Sequence, residues 1–171
     1  MPAYSFQERF VSFILDGSKF HTVRKGRDPT GRGRHAAPGD KLYLYTGMRT
    51  KGCRKVGEAV CEAVMQIYIT EEGILPQETY SGDIIPLSAE QREVFAWSDG
   101  FRPLGTTIDR PAGAWEMMKR WFRQTNGLPF KGVVIYWKDF ISFEDGIQQK
   151  IRQVQGKIKD DPRVKWRGNV Q

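Results

Sequence analysis

Two cysteines and two histidines are all that the 171 residues hold of the usual soft metal ligands. Cys53 and Cys61 have no CxxC partner and no nearby histidine pair, which argues against a zinc site and makes reduced thiols the default. No metal and no cofactor is expected. Any apolar run long enough to span a bilayer is also missing, and the first residues lack the basic and apolar regions of a signal peptide. The expectation is a cytoplasmic protein without a membrane partner. With 39% hydrophobic and 27% charged residues, the chain reads as globular, long enough to bury a core without metal or disulfide staples.

Charge is unevenly spread. Residues 19–55 carry eleven lysines and arginines against Asp28 and Asp40, a net +9, whereas residues 56–111 carry three against ten acids, a net −7. A concentrated basic segment can hold a polyanion through phosphate contacts and counterion release; it is equally the composition of a solvated loop surface.

Within the basic segment, Gly17-Ser18-Lys19-Phe20-His21-Thr22-Val23-Arg24 gathers an amine, an imidazole, a hydroxyl and a guanidinium in eight residues. Before it, Phe6, Phe10, Phe13 and Ile14 make one apolar helical stripe over Gln7 to Asp16. Gly17 ends that helix and turns the chain. A strand from about Phe20 to Arg24 would set Phe20, Thr22 and Arg24 on one face and His21 and Val23 on the other, with Lys19 at the bend. His21 is then a core or surface histidine rather than a catalyst, and His35 has no assigned role.

Residues 25–39, rich in glycine and arginine without hydrophobic period, form a loop expected to order only on a partner. Leu42 and Leu44 alternate with Tyr43 and Tyr45, which can stack on bases or cap a core. The next loop, 47–55, adds Arg49, Lys51 and Arg54, and would flank the Lys19 end if consecutive strands pair. Val56 to Ile69 is a long strand with Gly57 at a bulge or close approach. Residues 70–87 read as an insertion. Ser88 and Gln91 have capping-box spacing, opening a helix that would bury Val94, Phe95 and Trp97 and end at Asp99-Gly100-Phe101. A helix over Ala112 to Gln124 and a closing strand from Gly132 to Lys138 complete a domain over 1–140. Beyond it, Ile147, Ile151, Val154 and Ile158 mark a charged amphipathic extension, 141–171, able to pack on the domain, dimerise or lie along a nucleic acid.

Gly17, Lys19, Thr22 and Arg24 match the G-x-K-x-x-T-x-R signature of the ASCH family, and Gly39-Asp40, Gly57 and Ser98-Asp99-Gly100-Phe101 resemble its later landmarks. The resemblance runs over about residues 4 to 138. It implies an α+β, PUA-like small β-barrel with helices packed over it and, here, a C-terminal helical extension. The expected partner is RNA or a modified nucleoside, single-stranded nucleic acid included, held around Lys19, Thr22, Arg24 and Asp99. Arg32, Arg34, Tyr43, Tyr45, Arg49, Lys51 and Arg54 are the further nucleic-acid-binding candidates.

A small bacterial member of the family is an amidohydrolase on N4-acetylcytidine, using a lysine base, a threonine nucleophile and a glutamate acid. The resemblance carries those roles to Lys19, Thr22 and, one methylene shorter, Asp99. A lysine serves as base only with a lowered pKa, and a carboxyl as acid only with a raised one. A metal-independent ribonuclease using lysine and tyrosine is the other enzymatic reading. Against both, Lys19, Thr22 and Arg24 could simply bond backbone carbonyls and Asp99, with Arg24–Asp99 as an ion pair.

Overall fold

The computed structural model describes residues 2–26, 35–77 and 85–147. Arg32 and Arg34, most of the glycine- and arginine-rich loop, and the extension beyond 147 lie outside the described residues. No helix among those described is long and apolar enough to cross a membrane.

The chain builds a mixed α+β fold on one six-stranded sheet. Its strands are β1 (Ala3–Phe6), β2 (His21–Lys25), β3 (Lys41–Thr46), β4 (Arg54–Ile69), β5 (Ile74–Gln77) and β6 (Phe130–Ser142). Between β1 and β2, a 3-10 turn (Glu8–Phe10) runs into α1 (Val11–Leu15). Two longer helices, α2 (Ala89–Ser98) and α3 (Ala114–Thr125), come between β5 and β6.

The strand order is β1-β3-β4-β6-β2, with β5 paired to β4. β1 joins β3 in parallel, and the remaining pairs are antiparallel. The sixteen-residue β4 and thirteen-residue β6 form the spine, and register shifts at Glu58/Val60 and Cys61/Ala63 let this long ladder bend. The sheet curls in a barrel-like way but is not closed, contrary to the expected barrel. The end strands β1 and β2 share no backbone ladder, and the guanidinium of Arg24 instead reaches across to donate to the Ser5 carbonyl at 2.9 Å. Side chains therefore occupy the seam that backbone hydrogen bonds would close.

Alternation accounts for much of the core. Leu42, Leu44 and Thr46 point inward from β3, Tyr43 and Tyr45 outward. Along α3, Ala114, Trp115, Met118 and Phe122 are buried at helical spacing. The capping box at Ser88 and Gln91 forms, with reciprocal bonds of 3.2 and 2.8 Å.

Three expectations need correction. The supposed insertion contains β5: Thr70 accepts from the amides of Glu72 and Gly73, closing a turn that folds Ile74 back onto β4, and Pro76 is accommodated because β5 is an edge strand. On α2, Ala96, Trp97 and Ser98 are buried while Val94 is exposed and Phe95 half-buried, because the helix presses its C-terminal end into the core. β2 begins at His21 and pairs with β6, not β3, so the 47–55 loop does not adjoin it through the sheet.

Gly57, opposite Ser142, marks a close approach. A Cβ there would run into the carbonyl oxygen of Ile141 and the ring of Phe140, and neither can yield without shifting β6. Gly57→Ala should therefore lower stability by about 1–3 kcal/mol in urea unfolding. A change below about 0.5 kcal/mol, the usual range for surface substitutions, would show that β6 is free to move there.

Candidate functional site

Gly17 adopts the left-handed conformation, φ +76°, which reverses the chain after α1. Asp16 accepts from the Ser18 amide at 2.8 Å, and the Lys19 amide donates to the Phe13 carbonyl at 2.7 Å. These bonds fix residue 19 before the strand begins. Its ammonium turns inward and meets the end of α2, donating to both the side chain and the backbone carbonyl of Asp99, each at 2.5 Å. Asp99 is the C-cap of α2, where the negative end of the helix dipole also favours a cation. Gly100, φ +100°, then turns the chain and seats Phe101 in the core.

Lys19 and Asp99 are 2% and 5% exposed, and that burial dominates their chemistry. Desolvation pushes the ammonium's pKa down against the opposing pull of Asp99, with Arg24 and Arg102 adding to the depression. It pushes the carboxyl of Asp99 up, while Lys19 and Arg24 work the other way. Both groups are thus moved toward their neutral forms. The rings of Phe10 and Phe6, 5.1 and 5.8 Å from the ammonium, supply the apolar surroundings.

Lys19, Thr22, Arg24 and Asp99 all line one chamber of about 250 Å³, completed by Ser5, Phe6 and residues of α3. It lies along the open seam between β1 and β2. Thr22 is buried, and its hydroxyl makes no hydrogen bond among the described residues. Arg24 stacks over Phe6, 4.8 Å from the ring centre, while bonding Ser5. The expected Arg24–Asp99 ion pair gives way to Lys19–Asp99, with Arg24 acting on the carboxylate through space.

The other candidates lie apart from this chamber. Tyr43 stands on the outer sheet face with the ammonium of Lys55 4.8 Å from its ring centre, and Tyr45 is half-buried on the same face. Neither lines the chamber. Arg49, Lys51 and Arg54 are exposed. Their loop nonetheless reaches the chamber's rim from the β1 side: the Met48 amide donates to Ser5 Oγ at 3.2 Å, and Arg54 pairs with Glu8 at 2.5 Å.

Arg102 is a residue the sequence did not single out. Its guanidinium lies 3.8 Å from the ring centres of both Phe13 and Trp97, and it donates to Ser18 Oγ at 2.8 Å and to the Trp97 carbonyl at 3.2 Å. It clamps the 16–19 turn to α2 and so positions Lys19. His21 points away from Thr22 and is 1% exposed, stacked on Phe95 with ring centres 4.6 Å apart. Phe20 lies beside it, because residue 20 precedes the strand and escapes the alternation expected of it.

The sequence matches no family model and no curated protein. Among solved structures, the fold is distantly similar to ASCH from Zymomonas mobilis, at 17% identity over 88% of this chain and 78% of that one, with a TM-score of 0.40. A serine-to-alanine mutant of the same protein is similar at 18% identity over 88% and 78%, with a TM-score of 0.39.

Two outcomes follow from the buried charges. Lys19→Met leaves Asp99 without its ammonium and should cost about 3–5 kcal/mol in urea unfolding, and adding Asp99→Asn should recover part of that loss. A Lys19→Met protein as stable as the parent would show the pair to be hydrated. Burial and the nearby Lys19 hold the pKa of His21 well below its ordinary 6.5. The folded-state value lies below the unfolded one, so this contribution to stability is whole above pH 6.5 and declines as pH falls further. NMR titration should find the His21 ring still neutral at pH 6.5, and half-protonation there would refute the assignment.

Proposed function

We propose that the chain binds a nucleoside, free or as one unit of single-stranded RNA, in the chamber between β1 and β2. The observation carrying this reading is that an ammonium–carboxylate pair, an unengaged hydroxyl and a guanidinium face one small space. Ligand pockets commonly run from about 300 to 1,000 Å³. A chamber of about 250 Å³ suits one base, not a folded polynucleotide. The guanidinium of Arg24, stacked over Phe6, offers a planar surface, and Thr22 and Asp99 offer polar groups for a base edge. The exposed cations of the 47–55 loop, tethered through Met48 to Ser5, stand where the phosphates of a continuing strand would run. The similarity of the sequence motif to ASCH and PUA-like domains agrees with an RNA ligand and a cytoplasmic setting.

Amide hydrolysis on an acylated cytidine is the second reading, favoured by the directions of the two buried shifts. A lysine moved toward its neutral amine can take a proton from the Thr22 hydroxyl, and a carboxyl moved toward its protonated form can give one to a leaving amine. The hydroxyl oxygen would attack the acyl carbon, the C–N bond would break as the amine gains the proton, and water would later cleave the acyl ester.

Calorimetric titration with cytidine, N4-acetylcytidine and a single-stranded RNA should show nucleoside binding that is lost in Arg24→Gln. RNA affinity should fall steeply between about 50 and 200 mM salt. No binding by any of the three, or RNA affinity indifferent to salt, would defeat the first reading. For the second, acetate release from N4-acetylcytidine should disappear in Thr22→Val while nucleoside binding persists. Absence of release from the parent protein rejects hydrolysis alone.

A further inference from the structure

Across β2 from the site lies a second and larger chamber, of about 530 Å³, bounded by β4, β5, β6 and α2. Its chemistry is unlike the first. Phe20, His21, Phe95 and Tyr136 form an aromatic wall, and Ile67 and Ile74 line it from the sheet. Among the described lining residues Glu90 alone is charged, so nothing there favours a phosphate or another anion.

Two polar groups in the aromatic wall are unsatisfied. Neither nitrogen of His21 closes a hydrogen bond among the described residues, and the Asp99 carboxylate stands 3.9 Å from Nε2, too far to bond. Tyr136, whose ring centre lies 5.1 Å from that of His21, also makes no hydrogen bond through its hydroxyl among the described residues. Burial pushes the Tyr136 pKa up to about 12, so the group remains a donor at any physiological pH. An apolar space of this size with a few polar groups on its wall, the Tyr136 hydroxyl among them, is the usual form of a small-molecule site. Phe20, 41% exposed, offers apolar ring surface at its edge.

We infer that this second chamber binds a neutral, planar aromatic compound of one or two rings carrying a hydrogen-bond acceptor, which stacks beside Phe20 and accepts from the hydroxyl of Tyr136. The site is separate from the nucleoside chamber and stands whether or not that reading does.

Quinoline and naphthalene probe it as a matched pair, equal in shape and differing in one ring acceptor. Titrated into the full chain and followed by NMR at Met65 and Tyr136, quinoline should saturate below about 1 mM. Tyr136→Phe should weaken quinoline about five- to tenfold, the effect of one hydrogen bond, and leave naphthalene unchanged. Val94→Trp, at an exposed position on the chamber's rim, should abolish binding of both while circular dichroism shows the fold retained. The inference is overturned by quinoline that does not saturate below about 1 mM. Equal quinoline affinity in the parent and Tyr136→Phe, or binding that survives Val94→Trp, also overturns it. Binding that appears only after residues 78–84 are replaced by a glycine-serine linker does the same, since it assigns the chamber to the chain's own segment.

Discussion

The contact between Lys19 and Asp99 joins residues eighty positions apart and sets the position of nearly everything around the site. It draws the turn after α1 onto the end of α2, and so fixes where β2 begins and which of its faces meets which chamber. Such a pair is a poor source of stability. Burial opposes both charges, and apolar side chains of similar volume would serve the core as well or better. What the pair supplies is placement: two titratable groups with few alternatives, held beside an unengaged hydroxyl. Arg102 contributes to the same end by stacking between Phe13 and Trp97 while holding Ser18.

The strand carrying the motif is also a partition. Thr22 and Arg24 face a chamber that holds Lys19 and Asp99 among aromatic side chains, and His21 faces an apolar one walled by rings. Asp99 lies between, bonded to Lys19 on one side and just out of reach of His21 on the other. Neighbouring positions in one short segment thus face two environments that would select different ligands.

Local chemistry was readable where short-range rules govern. The alternation of Leu42 to Tyr45, the stripe of Trp115, Met118 and Phe122, the capping box at Ser88, and the turns at Gly17 and Gly100 each follow from residue type and spacing. The resemblance at Gly17 to Arg24 grouped Lys19, Thr22 and Asp99, which do line one chamber, whereas the plain ion-pair reading gave Asp99 to Arg24 instead of Lys19. What escaped depended on tertiary contacts. β5 is too short and too interrupted by proline to announce itself. Phe20 lies one residue outside the strand, so periodicity misassigned it. Arg102 has no pattern, because its role is set by the Phe13 and Trp97 rings, which only the packing of α1 beside α2 brings together. Alternation sets Tyr43 and Tyr45 opposite Leu42 and Leu44 but leaves open whether they stack on bases or cap a core, and their distance from the site depends on β2 pairing with β6.

The reach of Arg24 from β2 to the Ser5 carbonyl of β1 has a bearing on how these two strand edges are guarded. Uncovered strand margins invite pairing with another chain, and a complete cylinder prevents this by leaving none. Here two margins face each other across a narrow furrow spanned by a guanidinium and lined by aromatic side chains. An intruding strand would have to displace that strap before finding a backbone group of β1 or β2 to bond.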